Sequence, residues 1–238
     1  GVCGLATVDA FHVASAFVEA RQLGRVDAPL RQLLERFVAE RVPLHFIVNV
    51  VLTRTGGLDA CVAGHPVTAH RAGVRHARDV YAAPAPRRFP VVVADCAPYD
   101  LDLWQSIKGA WAGAEVVADG GTLVLVTAAP EGTSNYPLVP AYAGQNPHEL
   151  RRQIVGGRVA DAMQAATGVL WGMLARRMRI VFVSQGLSRA DVAAMGAGWQ
   201  PDLAAAVAQA VERLPQAQRA GAVAFVPQAG VVLPVVKE

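Results

Sequence analysis

Gln105 and Lys108 stand three residues apart in the stretch Tyr99-Asp100-Leu101-Asp102-Leu103-Trp104-Gln105-Ser106-Ile107-Lys108. The apolar run Phe89–Ala94 precedes this stretch, and a polar loop containing Asp95, Cys96 and Pro98 separates the two. With the run as a buried strand and a helix starting near Asp102, Gln105 and Lys108 share one face of the first helical turns. Open α/β sheets bind ligands beyond the carboxyl ends of their strands. A helix start adds free amide N–H groups and the positive end of its dipole. An amide and an ammonium placed there make a grip for a carboxylate or a phosphate. The same residues also fit a solvated helix start with an incidental lysine.

Two further strand-to-loop transitions fall on the same sheet edge. Gly120-Gly121-Thr122 to Pro130-Glu131-Gly132 holds its first glycines before the strand, so it is not a dinucleotide fingerprint. No P-loop lysine and no G-x-S-x-G elbow occurs in the chain. The run that ends Ser184-Gln185-Gly186-Leu187-Ser188 offers a loop glycine and hydroxyls, with Ser188 reading as a helix cap. His12 falls mid-helix beside Phe11, and one imidazole alone does not hold a divalent ion. His65, His70 and His76 surround one helix without sharing a face and read as surface or capping residues, while His148 is local to a helix start. No His/Cys/Asp cluster in the sequence builds a metal site by itself, and the hydroxyl and thiol nucleophiles lack a paired base at recognisable spacing. Cys3, Cys61 and Cys96 are odd in number, far apart and in no C-x-x-C pair. That argues against a disulfide framework or zinc knuckle and for a reduced, cytoplasmic setting.

The elements that must position these residues follow from the hydrophobic periodicity. From about Thr7 to Arg21, Val8, Phe11, Ala14, Ser15 and Val18 fall near helical spacing, with Gly24 as a stop. Asp27-Ala28-Pro29 reads as the N-cap and first turn of an amphipathic helix carrying Leu30, Leu33, Leu34, Phe37 and Val38. His45–Thr53 and Leu58–Ala63 flank Gly56-Gly57 as a hairpin, and Pro66 to about Tyr81 is helical. Residues 1–83 are thus expected to be the C-terminal part of an N-terminal α+β domain. The segment from Ala82 to Arg88, with Pro84 and Pro86, is the expected linker.

Beyond it, Phe89–Ala94, Thr122–Ala128 and Arg179–Ser184 are predicted strands. Helices are predicted over 102–118, from His148 onward, near Ser188–Met195 and over Pro201–Leu214. Continuous Val-rich strands separated by helices require a mainly parallel sheet covered on both faces. Residues 88–214 are therefore expected to form a Rossmann-like three-layer α/β domain. Residues 221–238 carry two short strand-like runs, expected to return and pack on the first domain.

Composition narrows the function classes. Hydrophobic residues make up 53% and charged residues 17%, which excludes a disordered chain and leaves no basis for nucleic-acid binding. The net charge of +3 is small, and the arginines lack aromatic interleaving, so they read as solvated faces. The longest apolar runs are strand-length, and no signal-peptide pattern opens the chain. Gly1-Val2-Cys3-Gly4 runs at once into helical sequence, which points to a start inside a larger protein.

The segment Tyr99–Lys108 resembles the P-L-D-x-N-x-Y-Q-x-x-K stretch of the nickel-pincer lactate racemase family. Other landmarks are similar and run in the same order: Gly1-Val2-Cys3-Gly4 through His12, Asn49-Val50-Val51-Leu52, Ala63-Gly64-His65 with Ala69-His70-Arg71, Asp119-Gly120-Gly121-Thr122, and Val183-Ser184-Gln185-Gly186-Leu187. Together they cover nearly the whole chain. The resemblance implies a two-domain racemase or epimerase of 2-hydroxy acids. Its cofactor would be a nickel-pincer nucleotide, a pyridinium mononucleotide thioamide, supplied by cofactor-synthesis enzymes. The implied chemistry is reversible hydride transfer from the substrate Cα. By position, His12 would bind nickel, and Gln105 and Lys108 would act at the substrate anion and cofactor. Trp104 stands where the family has a pocket tyrosine, and Trp171 would match a pocket tryptophan. The family's anchoring lysine falls a few residues before Gly1, with its base histidines and substrate arginine further upstream. The resemblance therefore implies a C-terminal portion completed by an N-terminal portion of the same protein. The other reading of the residues is a Rossmann-like module that binds a nucleotide or anion without catalysis.

Overall fold

The computed structural model describes residues 5–18, 25–42 and 44–237, so the expectations placed on Gly1 to Gly4 and on Gly24 lie outside the described residues. The first helical pattern forms α1, Leu5–Ser15. Helix α2, Pro29–Arg41, begins with proline in its first turn, where the missing N–H costs nothing. Its N-cap is Ala28 with no side-chain cap bond, so Asp27 does not play the expected part. Strands β1, Ile47–Leu52, and β2, Leu58–Gly64, pair antiparallel about a turn in which Gly56 takes a φ of 86°. Helix α3, Pro66–Tyr81, starts where its proline directs, and the Val67 N–H donates to His65 Nδ1 at 3.4 Å. Val62 on β2 lies against Gly73 of α3, where a Cβ would come within 3.2 Å.

Helices α2 and α3 are clasped by charge. Arg71 donates two hydrogen bonds to the Glu35 carboxylate, at 3.2 and 2.6 Å. Arg31 donates to His70 Nε2 at 2.7 Å, so that nitrogen must carry a lone pair. The hydrogen-bonded guanidinium of Arg71 holds the Glu35 carboxyl below the ordinary carboxylate range. Burial, then the neighbouring Arg31, pushes His70 below the ordinary histidine value.

The expected linker is not one. Its prolines do forbid a helix, but Ala82–Ala85 forms β3, which pairs in parallel with the tail residues Leu233–Val236. The α/β section then runs β4 (Phe89–Asp95), α4 (Leu103–Val116), β5 (Val117–Val126), α5 (Val139–Ala143), α6 (Pro147–Val155), α7 (Ala162–Ala175), β6 (Arg179–Val183), α8 (Arg189–Ala194), β7 (Gly198–Gln200), α9 (Leu203–Glu212), β8 (Val223–Val226) and β9 (Leu233–Val236). Strand β5 begins earlier than its Val-rich core implies, because the turn at Gly120 and Gly121 continues the strand through a register shift. A Cβ at Gly121 would meet the Pro90 carbonyl at 2.6 Å.

Five strands form one all-parallel sheet in the order β7-β6-β5-β4-β8. Side chains alternate as parallel strands covered on both faces require. Val92, Ala94, Leu123, Leu125, Ile180 and Phe182 join one core with Leu103, Trp171 and Leu174. Val93, Val124 and Val181 pack on the opposite face against Ala206 of α9. Of the two tail runs expected to return to the first domain, β9 pairs with β3 where that section ends, while β8 extends the main sheet beside β4. The chain steps outward from β4 to β7, then crosses back to β8 on the other side of β4. That reversal opens a crevice at the carboxyl end of β4.

The α2–α3 clasp predicts how stability depends on pH. Both Glu35 and His70 have lowered values in the folded chain, so the unfolded chain takes up protons first as pH falls. Stability is complete above the ordinary histidine range. It declines as pH drops toward the lowered His70 value, and declines again below the ordinary carboxylate range. Glu35→Gln should lower the melting temperature by a few degrees at neutral pH and flatten the second decline, read from thermal unfolding across a pH series.

Candidate functional site

The loops at the carboxyl edge are knitted together by their backbones. The Leu103 N–H donates to the Gly132 carbonyl at 2.8 Å, Ala129 N–H to Asp100 at 2.7 Å and Glu131 N–H to Leu101 at 3.0 Å. Ala229 N–H reaches Asp95 at 2.7 Å, and Gly186 N–H reaches Ala128 at 3.0 Å. Gly186 admits no side chain, because a Cβ would stand 1.8 Å from the Ala129 carbonyl oxygen. The start of α4 is capped by Asp102, whose carboxylate accepts the Gln105 N–H at 2.7 Å. Ser106, fully buried, bonds the Asp102 carbonyl and the Thr127 hydroxyl, both at 2.7 Å, and so pins the helix to the end of β5.

Held this way, α4 presents Trp104, Ile107, Lys108 and Trp111 on one face, at the i, i+3, i+4, i+7 spacing of adjacent helical turns. That face meets His12 and Ser15 of α1 and Thr167 and Leu170 of α7 around a cavity of about 190 Å³. Lys108 Nζ donates to Gln105 Oε1 at 2.6 Å and stands 4.1 Å from the centre of the Tyr99 ring. Gln105 and Tyr99 are not among the cavity's lining residues. Their work is to hold the ammonium, which keeps a further N–H for an anion. Tyr99 is itself seated on Gly230, where a Cβ would come within 2.7 Å of the ring. Trp104 stacks on Tyr136 with centroids 4.2 Å apart and planes 18° from parallel, which fixes it as a wall.

His12 is exposed on α1, with its ring centroid 6.1 Å from that of Trp104. Its Nδ1 lies 2.8 Å from the Val8 carbonyl oxygen. A carbonyl only accepts, so Nδ1 carries the hydrogen, and the neutral ring presents Nε2 as a lone pair. A backbone carbonyl that orients an imidazole in this way is what a metal-binding histidine needs. Among the described residues no three His, Cys, Asp or Glu side chains gather as a metal site. His12 is therefore a single candidate donor, with no cluster of three His, Cys, Asp or Glu gathered around it among the described residues.

Of the expected site residues, the structure brings together His12, Trp104, Gln105 and Lys108, and it does not bring Trp171. Trp171 is 1% exposed, donates its indole N–H to the Met195 carbonyl at 3.1 Å and stacks on Phe182 of β6. It belongs to the core, and its neighbour Leu170 faces the cavity instead. A one-residue step turns a helical side chain by about 100°, which separates a pocket wall from a core residue. Sequence reasoning passed over Tyr99, Tyr136, Trp111 and Leu170. Trp111, one heptad beyond Trp104, carried a legible signal in its spacing. Cys96 is no nucleophile, since burial pushes its thiol up to about 12.

The all-parallel sheet covered on both faces is a Rossmann-like α/β fold, and it is similar to that of a lactate racemase. No protein-family model matches the chain. A curated lactate racemase of Thermoanaerobacterium thermosaccharolyticum is 28% identical over 97 residues, which is 40% of this chain and 23% of that relative. The solved structure of the lactate racemase apoprotein from the same species superposes with a TM-score of 0.79 at 20% identity, covering 97% of this chain and 55% of that one. A crystal structure of a Thermotoga maritima protein gives a TM-score of 0.66 at 15% identity, covering 97% of this chain and 59% of that one. The chain thus spans just over half the length of the solved structures it matches.

Two measurements check this geometry. Gly186→Ala should destabilise the fold by roughly 3 kcal/mol through overpacking against the Ala129 carbonyl, read from the denaturant midpoint. Brief alkylation of the native chain at mildly alkaline pH, followed by peptide mapping, should label the exposed Cys61 and spare Cys96.

Proposed function

We propose that this chain supplies one wall of a 2-hydroxyacid racemase or epimerase that works with a nickel-pincer nucleotide. The observation that carries the proposal is that His12 and Lys108 line one cavity of a lactate racemase-like fold. Lys108, held by Gln105 and Tyr99, grips the substrate carboxylate with a charge-assisted hydrogen bond. His12 would hold nickel through its Nε2, and the Trp104–Tyr136 stack forms the wall beside it. When bound, the cofactor supplies a reversible hydride acceptor for the substrate Cα. With Nδ1 bonded to Val8 and Nε2 the atom that would hold nickel, His12 would not take the hydroxyl proton. The base for that proton and the lysine that would anchor the nucleotide would come from outside this chain. On this proposal the chain is the C-terminal portion of its protein, and its partners are a small 2-hydroxy acid and the enzymes that build the cofactor. Among the described residues Cys61 and Cys96 are free thiols, which supports a reducing cytoplasmic setting. Among the described residues no helix is long and apolar enough to cross a membrane.

The test is nickel content and racemisation of the full-length protein co-expressed with the cofactor-synthesis enzymes. Wild type should hold nickel and racemise a 2-hydroxy acid. Lys108→Ala should keep nickel and lose roughly 100-fold in kcat/KM, the worth of a hydrogen bond to a charged group, and His12→Ala should lose nickel. A full-length protein with neither nickel nor racemisation would leave only an anion-binding module.

A further inference from the structure

Besides His12 and Lys108, the cavity has an apolar wall of Ile107 and Trp111 of α4 with Leu170 of α7, and Trp104, Ser15 and Thr167 complete its lining. Both hydroxyls are satisfied inside their own helices. Ser15 Oγ donates to the His12 carbonyl, and Thr167 Oγ1 donates to the Met163 carbonyl at 3.1 Å. Neither needs a hydrated or charged partner, so the apolar wall favours an apolar group. Size settles which one. A methyl group takes roughly the volume of one water, about 30 Å³, a small part of the roughly 190 Å³ of this half-open cavity. An apolar cavity of about 150 Å³ is enough to admit a benzene ring.

Resting on the racemase proposal above, we infer that the substrate is a 2-hydroxy acid bearing a branched aliphatic chain or a phenyl ring, and that Trp111 and Leu170 determine this specificity. With the carboxylate on Lys108 and C2 directed at the His12 side, the third substituent points between Trp111 and Leu170. Both enantiomers use the same pocket, because racemisation changes only the face that carries the Cα hydrogen. The carboxylate, the oxygen and the side chain keep their places.

The full-length nickel-loaded enzyme should be assayed with lactate, 2-hydroxyisocaproate and 3-phenyllactate. The two larger acids should exceed lactate in kcat/KM by at least about tenfold, the effect of a single methylene in an apolar pocket. Leu170→Trp, which fills the pocket, should lower the 3-phenyllactate-to-lactate ratio by about tenfold or more. A second readout is independent of turnover. Titration of the wild-type chain with 3-phenyllactate should change the fluorescence of Trp104 and Trp111 at concentrations where lactate does not. Lactate turned over as well as the larger acids, by an enzyme that holds nickel, would overturn this specificity and leave the racemase proposal standing. Absence of nickel and of racemisation with all three acids would overturn both.

Discussion

The backbone hydrogen bonds from Leu103, Glu131 and Ala129 across the loops after β4 and β5 decide where α4 begins, and the site depends on where α4 begins. Buried peptide groups at a strand end must find partners, and here the two loops satisfy each other. The arrangement is tight enough that Gly186 can approach the Ala129 carbonyl only without a side chain. Asp102 and Ser106 then lock the first turn of α4 onto β5. Once that turn is set, helical geometry alone brings Trp104, Ile107, Lys108 and Trp111 onto one face. Gln105 and Tyr99, on the same rigid frame, restrain the otherwise flexible Lys108 side chain.

The electrostatics follow the same frame. The carboxyl edge of the sheet gathers the starts of α4 and α8, capped by Asp102 and Ser188, and it holds the cationic Lys108. The opposite edge gathers helix ends. Arg176 and Arg177 follow α7, and Arg213 follows α9, where positive charge complements the negative end of a helix dipole. Arg177 also pairs with Asp119 at 3.2 Å. These arginines thus complement helix ends at the edge of the sheet opposite the start of α4.

Several elements were legible because their signals are local. Pro66 and the periodicity after it place α3 over Pro66–Tyr81, and Ser188 caps α8 by accepting the Asp191 N–H at 3.0 Å. The three Val-rich runs are the centre of the sheet. Where the reading failed, the missing information was a partner distant in sequence. Proline-rich Ala82–Ala85 looks like a linker until Leu233–Val236 arrives to pair with it. The tail run Val223–Val226 looks free until it finds the open edge of β4. Trp171 looks like a pocket residue until the packing of α7 on β6 turns it into the core and exposes Leu170 to the cavity.

For the segment Asp100–Lys108, the amino-acid sequence by itself determined a capped helix start after a buried strand, with Gln105 and Lys108 on adjacent turns. That much rests on propensity and spacing, which act within a few residues. Only the tertiary structure decided what faces Lys108: His12 from α1 with Nε2 free, Thr167 and Leu170 from α7, and Tyr99 held against Gly230. Those neighbours lie between 9 and 96 residues away along the chain. Their meeting is set by strand order and helix packing, which no local pattern encodes.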